Sequence, residues 1–192
     1  MKLRFNTPDS WIEAVLANFD TFLIDHAAAE KKASGMAMSM LSHYPDREVL
    51  VKAMTDLAIE ELTHFRKVVK ILYQRGLQPG ADTKDDYVNH FRKSFRKGTE
   101  VYLLDRLLVG GSIEARGCER FGLVAQALKQ TDDSKMYRFY QDITDSEAKH
   151  HTLFVDLAET YFAKDEVQER LDQLLDVEAE IISALPVTAM LH

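Results

Sequence analysis

Apolar residues recur every three or four positions over long stretches of this chain, the spacing of helices with one buried face. Phe19, Leu23, Ala27, Ala37 and Leu41 form one such stripe, and Met54, Leu57, Ala58, Phe65, Val68, Ile71 and Leu72 a second. Leu104, Leu107, Phe121, Ala125 and Leu128 form a third, and Met136, Phe139, Tyr140, Ile143, Phe154, Leu157 and Tyr161 a fourth. These predict core helices over about 20–41, 46–75, 100–129 and 133–162. A short N-terminal helix opens at Thr7-Pro8-Asp9-Ser10, with Thr7 as the expected N-cap and Trp11, Val15 and Leu16 as its packing residues. A last helix over about 165–184 carries Val167, Leu171, Leu174, Leu175 and Ile181 on one face, and Pro186 closes it. No strand-like alternation competes, so the expected class is all-α.

Breakers fall between these stretches. Ser42-His43-Tyr44-Pro45 ends the first core helix, and Gly76 suits the end of the second. Thr99 is a candidate N-cap for the third, and Asp132 or Asp133 for the fourth. Residues 76–99 are the least regular. At up to ~3.3 Å per residue they can span a helix length, so the third helix can start at the end opposite the finish of the second. The expected architecture is a four-helix bundle with a long crossover between its second and third core helices, plus extra N- and C-terminal helices, as one domain over 1–192.

Each apolar stripe is interrupted by a carboxylate. Glu61-Leu62-Thr63-His64 and Glu147-Ala148-Lys149-His150 are both Glu-x-x-His, which sets a carboxylate and an imidazole one above the other on a helix face. Glu30 precedes Glu61 by 31 residues, and Glu114 precedes Glu147 by 33, so the chain reads as two similar halves. From Glu30 to the break is a climb of ~17 Å and the return to Glu61 is ~22 Å, which lets the Glu residues share a level. Four carboxylates on core faces are costly unless paired or metal-bound. Two divalent cations cancel their charge. Glu30, Glu61, His64, Glu114, Glu147 and His150 are therefore the candidate metal ligands, an oxygen-dominated set suited to iron or manganese. Such a set is that of ferritin-like dinuclear bundles. His26, one turn before Glu30, is either a partner of that carboxylate or a satisfied core histidine. Glu60 either reaches a ligand histidine or faces solvent.

Composition narrows the rest. Gly110, Gly111, Gly117 and Gly122 in one helix imply close packing, or room beside Glu114 for dioxygen and a substrate. A net charge of −7 argues against bulk, sequence-blind nucleic-acid binding and leaves room for a local basic patch. His90-Phe91-Arg92-Lys93-Ser94-Phe95-Arg96-Lys97 is such a patch. Arg92, Lys93, Arg96 and Lys97 are candidate phosphate contacts, or the solvated side of a helix with Phe91 and Phe95 inward. Arg66, Lys67, Lys70 and Arg75 add positive charge to the second core helix. The single Cys118 forms no internal disulfide, which fits the cytoplasm. The N-terminus has no apolar leader and no run is long enough to span a membrane.

Asp25-His26-Ala27-Ala28-Ala29-Glu30-Lys31-Lys32-Ala33, the Glu61 motif, Leu104-Asp105-Arg106-Leu107-Leu108, Ile113-Glu114-Ala115-Arg116 and Cys118-Glu119-Arg120-Phe121 resemble the tRNA-(2-methylthio-isopentenyladenosine) hydroxylase family, MiaE. The resemblance runs from about residue 7 to 162. It implies a ferritin-like, non-haem di-iron monooxygenase that hydroxylates the isopentenyl group of a modified adenosine beside the anticodon. Two iron ions, O₂, a tRNA substrate and an external electron donor (a reductase or ferredoxin) follow from it, with the same six residues as ligands. Two other readings of a ferritin-like site stay open. One is hydroxylation of a small lipid or quinone, the other iron storage or peroxide protection. Nothing in the chain sets the oligomeric state.

Overall fold

The computed structural model describes residues 1–192 and contains seven helices and no strand. They are α1 (Asp9–Ala17), α2 (Phe19–His43), α3 (Glu48–Gln74), α4 (Asp86–Arg92), α5 (Thr99–Leu128), α6 (Ser134–Tyr161) and α7 (Lys164–Ala184). The backbone groups into two compact units. One contains Glu13–Thr83 and Thr188–Leu191, and so holds α2 and α3. The other contains Met1–Ile12, Lys84–Val187 and His192, and so holds α4 to α7.

In the first unit, α2 and α3 lie side by side as a hairpin turned at residues 44–47. Phe22, Leu23, Ala27, Ala37 and Met40 are buried on α2, and Leu50, Met54, Leu57, Ala58, Val68 and Leu72 on α3. The Ser34 hydroxyl donates to the Ala58 carbonyl across the pair at 2.8 Å. α3 stops where Gly76 takes φ 74°, which lets the Leu77 amide reach back to the Leu72 carbonyl at 2.9 Å. Lys31 pairs with Asp82 at 2.6 Å, and Lys32 donates to the Thr83 carbonyl at 2.9 Å, tying the start of the crossover to α2.

In the second unit, α5 packs along α6. A Cβ on Gly110 would stand 2.9 Å from Phe154 Cε1, and one on Gly111 would stand 3.0 Å from Phe154 Cβ. These two glycines are therefore close-packing positions, whereas Gly117 and Gly122 sit at ordinary contact distances. Asp133 caps α6 by accepting from the Met136 amide at 3.0 Å. The crossover is not wholly irregular. Asp85 caps α4, and Tyr87 and Phe91 are buried.

A buried polar hub holds the ends of this unit. Arg116 of α5 is fully buried and donates through Nε and Nη2 to the two oxygens of Glu178 on α7, both at 2.9 Å. It also reaches the Phe5 carbonyl, Thr7 and Glu119. Tyr87 donates to Glu178 at 3.1 Å. Arg120 lies over the Trp11 ring at 4.8 Å, and burial and the neighbouring Arg116 cation lower its pKa to about 10.

Several local expectations are corrected. Thr7 does not cap α1. Its amide and hydroxyl go to Glu119 at 3.0 and 2.7 Å, because the hub claims it first. Leu16 is 45 % exposed, beyond the packed side of a nine-residue helix. Gly98 at φ 121°, not Thr99, occupies the N-cap position of α5. On α7 the buried position is Ile182, one residue past Ile181, with Glu178 on the same stripe.

Candidate metal centre

The first unit brings Glu30 from α2 together with Glu61 and His64 from α3. One ligand atom of each lies within 4.8 Å of the others. His64 Nδ1 stands 3.4 Å from Glu61 Oε2 and 3.6 Å from Glu30 Oε2. His26, one turn earlier on α2 and fully buried, holds Glu30 Oε1 through Nε2 at 2.6 Å. His26 is thus a partner of the carboxylate. Burial alone would raise the Glu30 pKa, but the hydrogen bonds of His26 and His64 outweigh it and hold the carboxyl well below its usual range. Burial likewise disfavours the His64 imidazolium, yet Glu30 and Glu61 raise its pKa to about 9.

The second unit repeats the arrangement with Glu114 from α5 and Glu147 and His150 from α6, again with ligand atoms within 4.8 Å. His150 Nδ1 stands 3.2 Å from Glu147 Oε2 and 3.8 Å from Glu114 Oε2. All six residues are at most 6 % exposed. Glu61 and His64 fall on the packed side of α3 because the stripe Met54, Leu57, Val68 and Leu72 carries them inward, and Tyr140, Ile143, Phe154 and Leu157 do so for Glu147 and His150.

Each trio offers two carboxylates and one imidazole in an apolar setting. Two negative charges and a nitrogen donor match a divalent transition metal, with oxygen donors in the majority. The donor set therefore fits iron or manganese in each unit. Glu60, beside Glu61, is exposed.

The candidate phosphate contacts lie around the end of α4. Arg92, Lys93 and Lys97 are exposed. Arg96 is half-exposed and bound to Asp105, which accepts from its amide at 2.7 Å and its guanidinium at 2.9 Å. Arg170 completes the site, donating to Asp105 at 2.7 Å and to the Ser94 carbonyl at 2.8 Å. Burial works against the Asp105 charge, but the two guanidinium groups win and lower its pKa. On α3, Arg66, Lys67 and Lys70 are exposed, while Arg75 pairs with Asp20 at 2.6 Å. Asp105, Tyr87 and Glu178 were not singled out by sequence reasoning. The available signal was a carboxylate inside an apolar stripe, Glu178 after Leu171, Leu174 and Leu175.

Comparison with known proteins places these features in a family. The family model described as tRNA-(MS[2]IO[6]A)-hydroxylase (MiaE) matches residues 1–192. A Pseudomonas putida protein named tRNA 2-(methylsulfanyl)-N(6)-isopentenyladenosine(37) hydroxylase is 35 % identical over 178 residues, covering 93 % of this chain and 85 % of the relative. A Salmonella typhimurium protein of the same name is 32 % identical over 158 residues, 82 % of this chain and 56 % of the relative. Among solved structures, a Synechococcus protein described as having aldehyde deformylating oxygenase activity superposes with TM-score 0.90 at 33 % identity, covering 97 % of this chain and 92 % of that one.

Proposed function

The chain belongs to the MiaE family of tRNA hydroxylases, and from that premise we propose that it hydroxylates the isopentenyl group of 2-methylthio-isopentenyladenosine beside the anticodon of tRNA. Its all-α fold is ferritin-like. The reading takes residues 1–192 as one domain working in the cytoplasm, where its substrate is. No helix is long and apolar enough to cross a membrane. The observation that supports it best is the repeated trio: the same buried Glu, Glu and His on two helix pairs of a chain that matches the family from end to end.

In this reading Glu30, Glu61 and His64 hold one iron ion, and Glu114, Glu147 and His150 hold the other. Iron would supply the activation of O₂, with two electrons from an external donor, that placing an oxygen atom in an allylic C–H bond requires. The chain's own work is positioning and exclusion. His26 fixes the orientation of Glu30. The apolar residues flanking each trio keep bulk water from the ligands. Arg92, Lys93, Arg96 and Lys97 contact the phosphates of the tRNA, Arg96 through the part of its side chain left open by Asp105.

The test is nucleoside mass spectrometry of tRNA carrying the prenylated base, after incubation with iron-loaded protein, a chemical reductant and O₂. The expected product is one oxygen heavier than the substrate nucleoside. An unchanged nucleoside with fully loaded protein would overturn the assignment. A second reading draws on the Synechococcus structure: O₂-dependent turnover of a small aldehyde at the same trios. It predicts loss of an added aldehyde under the same conditions, and indifference to replacement of Arg92, Lys93 and Lys97.

A further inference from the structure

The two trios match residue for residue, but their supports do not. Four residues before Glu30 on α2 stands His26. Four residues before Glu114 on α5 stands Gly110. Residues four apart share a helix face, so these are equivalent places beneath the two carboxylates. His26 is fully buried and bonded to Glu30 Oε1 at 2.6 Å. At Gly110 there is no side chain, and none can be added without displacement. A Cβ there would meet Phe154 Cε1 at 2.9 Å and Cζ at 3.2 Å, and Phe154 is itself fully buried. The space that His26 fills on α2 is given on α5 to an aromatic ring of α6.

We infer that the two metal positions are unequal: His26 is a positioning residue for Glu30, and with Gly110 in the matching place the Glu30–Glu61–His64 trio takes a divalent cation before the Glu114–Glu147–His150 trio does. The physical reason is preorganisation. A carboxylate held by a buried ring loses little freedom when it coordinates, and an outer partner of a metal ligand is worth roughly 10–100-fold in affinity. Glu114 Oε2 pairs with His150 Nδ1 at 3.8 Å, beyond hydrogen-bond reach, and that imidazole belongs to its own trio. Glu114 is then the ligand with more room to change its mode of coordination. The inference rests on the metal assignment above and not on the identity of the substrate.

The experiment is titration of the metal-free full chain with Co(II) under anaerobic conditions, followed by calorimetry and by the visible absorption of bound Co(II). The wild type is expected to fill in two steps of different affinity. Glu30→Gln removes the tighter step and Glu114→Gln the weaker one. His26→Leu, which keeps bulk and removes the ring N–H, weakens the tighter step roughly 10–100-fold and leaves the other in place. His26→Gln, which restores a donor, recovers most of the loss. Two equal steps in the wild type, or a tighter step that survives Glu30→Gln, would overturn the inference, and the Glu30/Glu114 pair decides even if His26→Leu does not fold. No Co(II) uptake by the wild type would end the metal assignment as well. Failure to hydroxylate tRNA with uptake intact would touch only the substrate.

Discussion

Asp105 shows how one buried charge is made tolerable, and how it can be tested. Its carboxylate is fully buried and surrounded by the Arg96 amide, the Arg96 guanidinium and Arg170. Removing one partner of such a cluster leaves the others uncompensated, at roughly 3 kcal/mol. Asp105→Asn is therefore expected to lower the unfolding free energy at neutral pH by about that amount in urea melts. The pH dependence has a definite sign. The folded pKa lies below the ordinary aspartate value, so the carboxylate stabilises the fold above the unfolded pKa of about 3.9 and stops doing so as pH falls through the folded one. The gap between wild type and Asp105→Asn should be constant above about pH 5 and close below about pH 4. A gap that persists at pH 2 would mean that packing, not charge, carries the effect. A sequence reader sees Asp105 only as one acid in a helix. Its two arginines come from 9 residues earlier and 65 later, and no local pattern joins them.

At the scale of elements, the long helices were legible because periodicity over twenty or more residues admits only one answer. α2, α3, α5 and α6 each lie within two or three residues of their expected limits. α4 was legible only as one of two readings of residues 90–97, a helix with Phe91 inward, because seven residues make barely two turns and propensity cannot sustain them alone. Its helix exists because Tyr87 and Phe91 are anchored, Tyr87 on Glu178 of α7, a partner 91 residues away. The same anchoring leaves Arg92, Lys93 and Lys97 facing solvent. These three can be changed without touching the fold, whereas Arg96 cannot. The triple replacement Arg92→Ala, Lys93→Ala and Lys97→Ala should leave the melting temperature unmoved and weaken tRNA binding. Each lost phosphate contact lowers the salt slope of log K by about 0.7 to 0.9, so the slope should fall by roughly 2 in filter binding across a salt series. An unchanged slope would place the phosphate contacts elsewhere, with exposed Arg66, Lys67 and Lys70 of α3 the next set to replace.

For the whole molecule, the repeat of Glu and Glu-x-x-His at spacings of 31 and 33 residues was readable because ligand geometry leaves a helical period of its own in the sequence. Of the supports, His26 was readable as one of two alternatives from its place one turn before Glu30, and the role of Gly110 was not. That Gly110 yields its place to Phe154 depends on how α5 meets α6, which no spacing reports. The repeat has a consequence for the molecule as a whole. Each unit buries two carboxylates and an imidazole in an apolar core, a desolvation cost that the His26 and His64 hydrogen bonds already outweigh at Glu30. An ion that binds only the folded state adds stability by mass action, about 2.7 kcal/mol per site at a hundredfold excess over Kd. For a chain of this size that is a rise of roughly 5–10 °C in Tm per site. Scanning calorimetry with increasing Mn(II) should show the transition move upward and keep rising after one equivalent, because filling one trio relieves only its own half. Glu30→Gln and Glu114→Gln should each abolish part of the shift, and Glu30→Gln should also lower the metal-free Tm, because the His26 and His64 hydrogen bonds already favour that carboxylate in the folded chain. A metal-free Tm raised by Glu30→Gln would mean that the two imidazoles do not compensate its charge, and a wild-type Tm that Mn(II) leaves unmoved would mean that the trios are not metal sites.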